Sequence, residues 1–149
     1  VVIGMTYNQE LYNAIKEKHA NTEELTLPSS YQLTDAQKEQ LRQADYIVIG
    51  SHTSNVAMRL PTHPQMQRIN DIINNYDAPS IAVAIRNPYD IMSYPQVDAY
   101  ITQYGFRTAS FKATAAAIFG EINPSGKLPV TIPNGQGETL YPFGHGLSY

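Results

Sequence analysis

The chain has 149 residues, 42% of them hydrophobic and 15% charged, with 10 Lys and Arg against 13 Asp and Glu for a net charge of −3. That balance suits one globular domain with a core of its own, not a disordered segment. No basic cluster exists beyond Lys16 and Lys18, which excludes nucleic-acid binding by charge, and the absence of Cys excludes disulfides and thiolate metal sites. Apolar runs such as Tyr46–Ile49 and Ile81–Ile85 are strand-sized, far short of the roughly 20 residues of a membrane span. The chain opens on Val1 in a strand-like run without a signal peptide, which reads as a fragment or a processed chain.

In chain order, Val1–Met5 predicts a short strand. Gln9–Lys18 follows as a helix with Leu11 and Ile15 on one face. Glu24–Leu27 predicts a weak strand closed by Pro28. Thr34 with Gln37 three residues on has the form of a capping box and predicts a helix to about Ala44. Tyr46–Ile49 is a central strand ended by Gly50. Thr62 or His63 caps the next helix, with Pro64 in its first turn and Met66, Ile69 and Ile73 as its apolar stripe. Ser80–Ile85 is a buried strand, Asp90–Met92 a short helical turn, and Ala99–Gln103 a fifth strand. Thr108 caps a helix through Phe119, with Phe111, Ala115 and Ile118 on one face and Gly120 at its left-handed end. Residues 121–149 then hold four of the ten prolines and five of the nine glycines. They predict an extended tail with a turn at Ser125-Gly126 and an edge strand at Leu128–Ile132.

Five short apolar strands separated by helices imply an α/β fold: a three-layer αβα sandwich around a mostly parallel, flavodoxin-like sheet of about five strands, with an extended C-terminal tail. Ligand sites in such sheets lie at the carboxyl ends of the strands. Those ends fall at Thr6–Asn8, Gly50–Asn55, Arg86–Asp90 and Tyr104–Arg107.

Two segments carry a more specific signal. Phe119-Gly-Glu-Ile-Asn-Pro-Ser-Gly-Lys-Leu-Pro-Val-Thr-Ile-Pro133 and Tyr141-Pro-Phe-Gly-His-Gly-Leu-Ser-Tyr149 together resemble the signature of the C-terminal α/β sandwich of glycoside hydrolase family 3. Arg86-Asn-Pro-Tyr-Asp90, followed by Tyr104-Gly105, is similar to the β-N-acetylglucosaminidase branch of that family. The resemblance implies that residues 1–149 form one such domain, short at its N-terminus. A catalytic TIM barrel would lie outside the chain as its partner, and a saccharide would bind where the two domains meet.

Retaining glycosidases use two catalytic groups, usually carboxyls. The resemblance places the nucleophile, an Asp, on the barrel. In the family's β-glucosidases the acid/base is a Glu in the loop after the strand equivalent to Tyr46–Ile49. Here that loop is Ser51–Leu60, and no Asp or Glu occurs from residue 46 to residue 70. In the hexosaminidase branch an Asp–His pair on a barrel loop does this work. No catalytic residue is therefore expected in this chain.

The candidate cleft-lining or substrate-contacting residues are His52, Asn55, Arg59, Arg86, Asn87, Asp90 and Tyr104. Each also has a plainer role. His52 caps loop backbone groups, having no Asp or Glu adjacent in sequence to orient it. Arg59 and Arg86 pair with Asp90 or with the barrel surface. Tyr89, Tyr94, Tyr100 and Tyr104 pack in the core or at an interface with their hydroxyls reaching water. Ser51, Thr53 and Ser54 lie in no nucleophile elbow. His19, His52, His63 and His145 lack metal-ligand spacing, and no Gly-x-Gly-x-x-Gly follows a strand, so no metal or other cofactor is expected. The remaining readings are a stand-alone saccharide-binding module, and a domain of a β-glucosidase or β-xylosidase of the same family.

Overall fold

The computed structural model describes residues 1–149. Its central sheet contains β1 (Val2–Gly4), β2 (Glu24–Thr26), β3 (Ile47–Ser51), β4 (Ser80–Ala84) and β5 (Ala99–Thr102), in the order β2-β1-β3-β4-β5. All four pairings are parallel. This is the flavodoxin-type order, whose chain reverses its direction of travel across the sheet between β1 and β3.

Four helices cover the sheet: α1 (Asn8–Lys16), α2 (Asp35–Arg42), α3 (Pro64–Asn75) and α4 (Thr108–Ile118). Successive strand residues face opposite sides, and the core divides accordingly. Val2, Val48, Val83 and Ile85 pack against Leu11 and Ile15 of α1 and Phe111 and Ala115 of α4. Ile3, Ile47, Ile49 and Ala82 face the other way, onto Leu41 of α2 and Met66, Ile69 and Ile72 of α3. A strand buried on both faces needs apolar residues at every position, which is why these segments read as continuous apolar runs.

The caps are partly those expected. Thr34 and Gln37 form the complete capping box of α2. His63, not Thr62, caps α3, its Nδ1 accepting from Gln65 N at 3.1 Å. Ile72, rather than Ile73, completes the buried stripe of α3. At α4 the cap position is Arg107, with Thr108 already helical and no side-chain bond. The turn over 90–92 is a six-residue 3₁₀ segment, Pro88–Ser93.

The tail departs from its expected form. Ser125-Gly126 makes no turn, and no strand runs over Leu128–Ile132. Instead β6 (Ile132–Pro133) pairs antiparallel with β7 (Thr139–Tyr141) as a hairpin separate from the main sheet. Pro133 tolerates this place because a two-strand ribbon leaves one side of each strand unpaired. Ile132 is fully buried and joins the α2–α3 core, although the tail leaves α4 on the opposite face. The chain end folds back on the segment before the hairpin: Leu128 N donates to His145 O, and Gly144 N to Leu128 O, each at 2.8 Å. A Cβ on Gly146 would overlap the carbonyl oxygen of Gly126, so these two segments meet only because Gly stands there.

Candidate functional site

The carboxyl ends of β1, β3, β4 and β5 lie side by side and gather residues from four distant segments. At their centre is Asp90, which is fully buried. Ser51 Oγ donates to its Oδ2 at 2.7 Å, and Thr53 Oγ1 to its Oδ1 at 2.5 Å. Ser51 Oγ also lies 2.8 Å from the hydroxyl of Tyr94, another fully buried residue. Burial pushes the Asp90 carboxyl above its ordinary value, against the opposing pull of Thr53, Ser51 and the Arg59 charge. Burial likewise drives Tyr94 and Tyr100 well up, so both stay protonated donors. Tyr100 donates to Pro88 O at 2.9 Å.

Outside this buried knot lies a partly exposed rim. His52 is half-buried, its ring edge-on to Tyr7 at 5.5 Å between centroids. Tyr7 in turn stacks on Phe106 at 5.2 Å. Burial, and after it the charge of Arg86, lower the His52 imidazole below 6.5. At neutral pH the ring is therefore uncharged, with one nitrogen donating and one accepting. Tyr7 and Tyr104, which follow β1 and β5, both hold left-handed backbone angles, φ 59° and 58°. A bulky side chain pays strain for that conformation, and such outliers cluster at functional sites.

The other expected site residues take varied places. Asn55 is exposed and its Oδ1 caps Met58 N at 3.1 Å. Arg59 lies over the Tyr89 ring at 5.1 Å, and its Nε is buried without a hydrogen-bond partner. Arg86 is exposed and forms no ion pair; its supposed partner Asp90 is taken up by two hydroxyls. None of the five salt bridges of the chain involves Arg59 or Arg86. Asn87 Oδ1 accepts from Tyr89 N at 3.1 Å and starts the 3₁₀ segment. Tyr104 is 47% exposed beside Phe106 at 42%. Asp90 therefore lines no surface, and the Tyr94 hydroxyl faces Ser51, not water. Sequence reasoning passed over Tyr7, Gln65 and Phe106. Only their positions just past strands or at a helix start could have marked them.

A cavity of about 500 Å³ lies at the opposite end of the sheet, between Val1, His19, Glu23, Asp45, Tyr46 and Phe119. It holds none of the candidate residues. No group of His, Asp and Glu is arranged to hold a metal ion, and no helix is long and apolar enough to cross a membrane.

Residues 2–149 match the family model of the glycosyl hydrolase family 3 C-terminal domain. The chain belongs to that family. It is similar to a putative β-xylosidase of Formosa agariphila, 37% identical over 76 aligned residues, covering 36% of this chain and 10% of that protein. Among solved structures, a fungal multi-domain family 3 β-N-acetylglucosaminidase superposes with a TM-score of 0.74 at 24% identity, over 95% of this chain and 16% of that one. The family 3 β-N-acetylglucosaminidase of Paenibacillus sp. str. FPU-7 gives 0.63 at 20% identity, over 81% of this chain and 25% of that one. The β-glucosidase of Listeria innocua gives 0.75 at 19%, over 95% and 26%. At these identities the superpositions establish the shared fold. This chain spans from 10% to 26% of the length of these proteins. Its five-stranded parallel sheet with flanking helices is the α/β fold that these solved structures share.

Proposed function

We propose that this domain is a non-catalytic part of a retaining exo-β-N-acetylglucosaminidase acting on terminal GlcNAc of cell-wall muropeptides or chitooligosaccharides. It braces a catalytic TIM barrel in the same polypeptide and offers its strand-tip face as one wall of the saccharide cleft. The observation that carries this reading is the state of the carboxylate bonded to Ser51 and Thr53 at the start of the loop after β3. Asp90 is fully buried and both its oxygens accept hydroxyl hydrogen bonds. A general acid or base must reach the glycosidic oxygen or a water beside it, and Asp90 reaches neither. Among glycosidases of this architecture, a sandwich that supplies no acid/base fits the branch whose barrel supplies its own.

The test is hydrolysis of a fluorogenic β-N-acetylglucosaminide by the 149-residue chain, alone and mixed with a separately produced barrel from the same gene. Turnover only in the mixture is the expected result. Turnover by the purified chain alone would sink the reading. A second reading, a β-xylosidase or β-glucosidase domain, is favoured by the resemblance to the Formosa protein. Preference of the mixture for an aryl β-xyloside or β-glucoside over the aryl N-acetylglucosaminide would select it.

A further inference from the structure

The three residues Ser51, His52 and Thr53 leave the sheet in an alternating pattern. Ser51 and Thr53 are fully buried and both donate to Asp90, while His52 between them is half-buried. Alternate side chains of an extended segment point to opposite sides, so two inward tethers turn the residue between them outward. The His52 backbone is held as well. Its N–H donates to Gln65 Oε1 and its C=O accepts from Gln65 Nε2, each at 3.1 Å. The ring is set edge-on against Tyr7, which is itself stacked on Phe106. Four segments thus fix one partly exposed imidazole.

Packing alone gives no reason for this arrangement. A buried acid costs more than an amide or an apolar side chain of the same shape, and that cost is visible in the raised Asp90 carboxyl. What the acid provides is two acceptor oxygens, each able to hold one flanking hydroxyl. We infer that Asp90 is a positioning residue which, through Ser51 and Thr53, presents the His52 ring to a saccharide hydroxyl at the strand-tip face. The saccharide in this statement rests on the function proposed above; the tether from Asp90 to His52 does not. The titratable or charged groups facing His52 are Tyr7 from the loop after β1 and Arg86 from the loop after β4; α3 contributes the uncharged Gln65. An imidazole kept uncharged in this setting both donates and accepts, which suits a hydroxyl.

The test uses the full polypeptide that carries this chain. His52→Gln is expected to raise KM for 4-nitrophenyl N-acetyl-β-glucosaminide by roughly three- to tenfold, the worth of one neutral hydrogen bond, with kcat little changed. Asp90→Ala is expected to do the same, and the double variant to be no worse than His52→Gln, because both changes remove one interaction. Losses that add in the double variant would overturn the inference. NMR of histidine-labelled protein reads the tether directly. The Tyr7 ring-current shift on the His52 ring protons should collapse in Asp90→Ala and return in part in Asp90→Asn, which keeps one acceptor. An unchanged shift in Asp90→Ala overturns the tether. Thr53→Val, which removes one bond and keeps the shape, carries both measurements if Asp90→Ala does not fold. Should the wild-type protein cleave no aryl glycoside, the functional reading fails, while the ring-proton shift still decides whether Asp90 positions His52.

Discussion

Asp90 shows how much one residue's role depends on what surrounds it. In sequence it is a carboxylate just after a strand, a natural candidate for a cleft. In the fold it is enclosed by Ser51, Thr53, Tyr94 and Tyr100, with the charge of Arg59 acting from outside. Burial holds its carboxyl above the ordinary value of 3.8. A carboxyl that ionises less readily in the folded chain keeps its proton there at a pH where the unfolded chain has released it. Its contribution to stability is therefore fully present below the unfolded value and falls as pH rises through the folded one. Asp90→Asn cannot titrate. On going from about pH 4 to about pH 7 the wild-type protein should lose stability relative to Asp90→Asn, read as the difference in urea midpoints. A difference that stays constant over that range would mean that the Asp90 carboxyl ionises as readily in the folded chain as in the unfolded one.

At the scale of elements, the helices were legible from their apolar period and caps, and the sheet strands from short apolar runs. The capping box of Thr34 and Gln37, Pro64 in the first turn of α3 and the left-handed Gly120 (φ 69°) are all local signals. The tail was not legible in the same way. Its strands, of two and three residues, lie in no continuous apolar run and pair with each other in a ribbon apart from the main sheet. Its glycines act by two different physical causes. Gly146 lies against the Gly126 carbonyl, whereas Gly137 sits in open space at φ 89°. Gly146→Ala should cost about 1–3 kcal/mol by forcing the two segments apart. Gly137→Ala should cost about 1–2 kcal/mol through left-handed strain alone. Thermal unfolding gives both values, and limited proteolysis separates them: only Gly146→Ala should open the C-terminal segment to cleavage. Equal protection of the two variants would mean that the Gly126–Gly146 approach does not hold the tail.

At the scale of the whole molecule, the surface is uneven. Phe143, Leu147 and Tyr149 are 71%, 76% and 74% exposed, and Phe119 and Ile122 are also open. Tyr149 is nonetheless ordered, its N–H donating to Asn123 Oδ1 at 2.8 Å and its hydroxyl to Ala117 O. Large apolar side chains gathered in the open are what an interface offers. The function proposed above assigns that interface to the barrel, since the relatives extend well beyond this chain. Phe143→Ser with Leu147→Ser removes no buried contact of this domain. The pair should leave the unfolding midpoint of the isolated domain within about 1 °C while lowering that of the full polypeptide by several degrees. No change in the full polypeptide would place the barrel contact elsewhere on the domain.

The sequence by itself determined the fold class, the order of the five strands and four helices along the chain, and, through the two C-terminal motifs, the family. The fold class and the element order follow from local causes, namely apolar runs, helical period and caps; the family follows from the resemblance those two motifs carry. Tertiary structure decided what the candidate residues do. His52 lacks an acidic neighbour in sequence, yet Asp90, 38 residues further on, holds the hydroxyls of the residues on either side of it, and Gln65 grips its backbone. Arg86 and Asp90, close in sequence, do not pair. Parallel strands bring the tips of remote segments side by side, and burial then decides which carboxyl is spent on hydroxyls and which cation is left free. Neither effect leaves a trace in residue spacing, so the site became readable only once the sheet had formed.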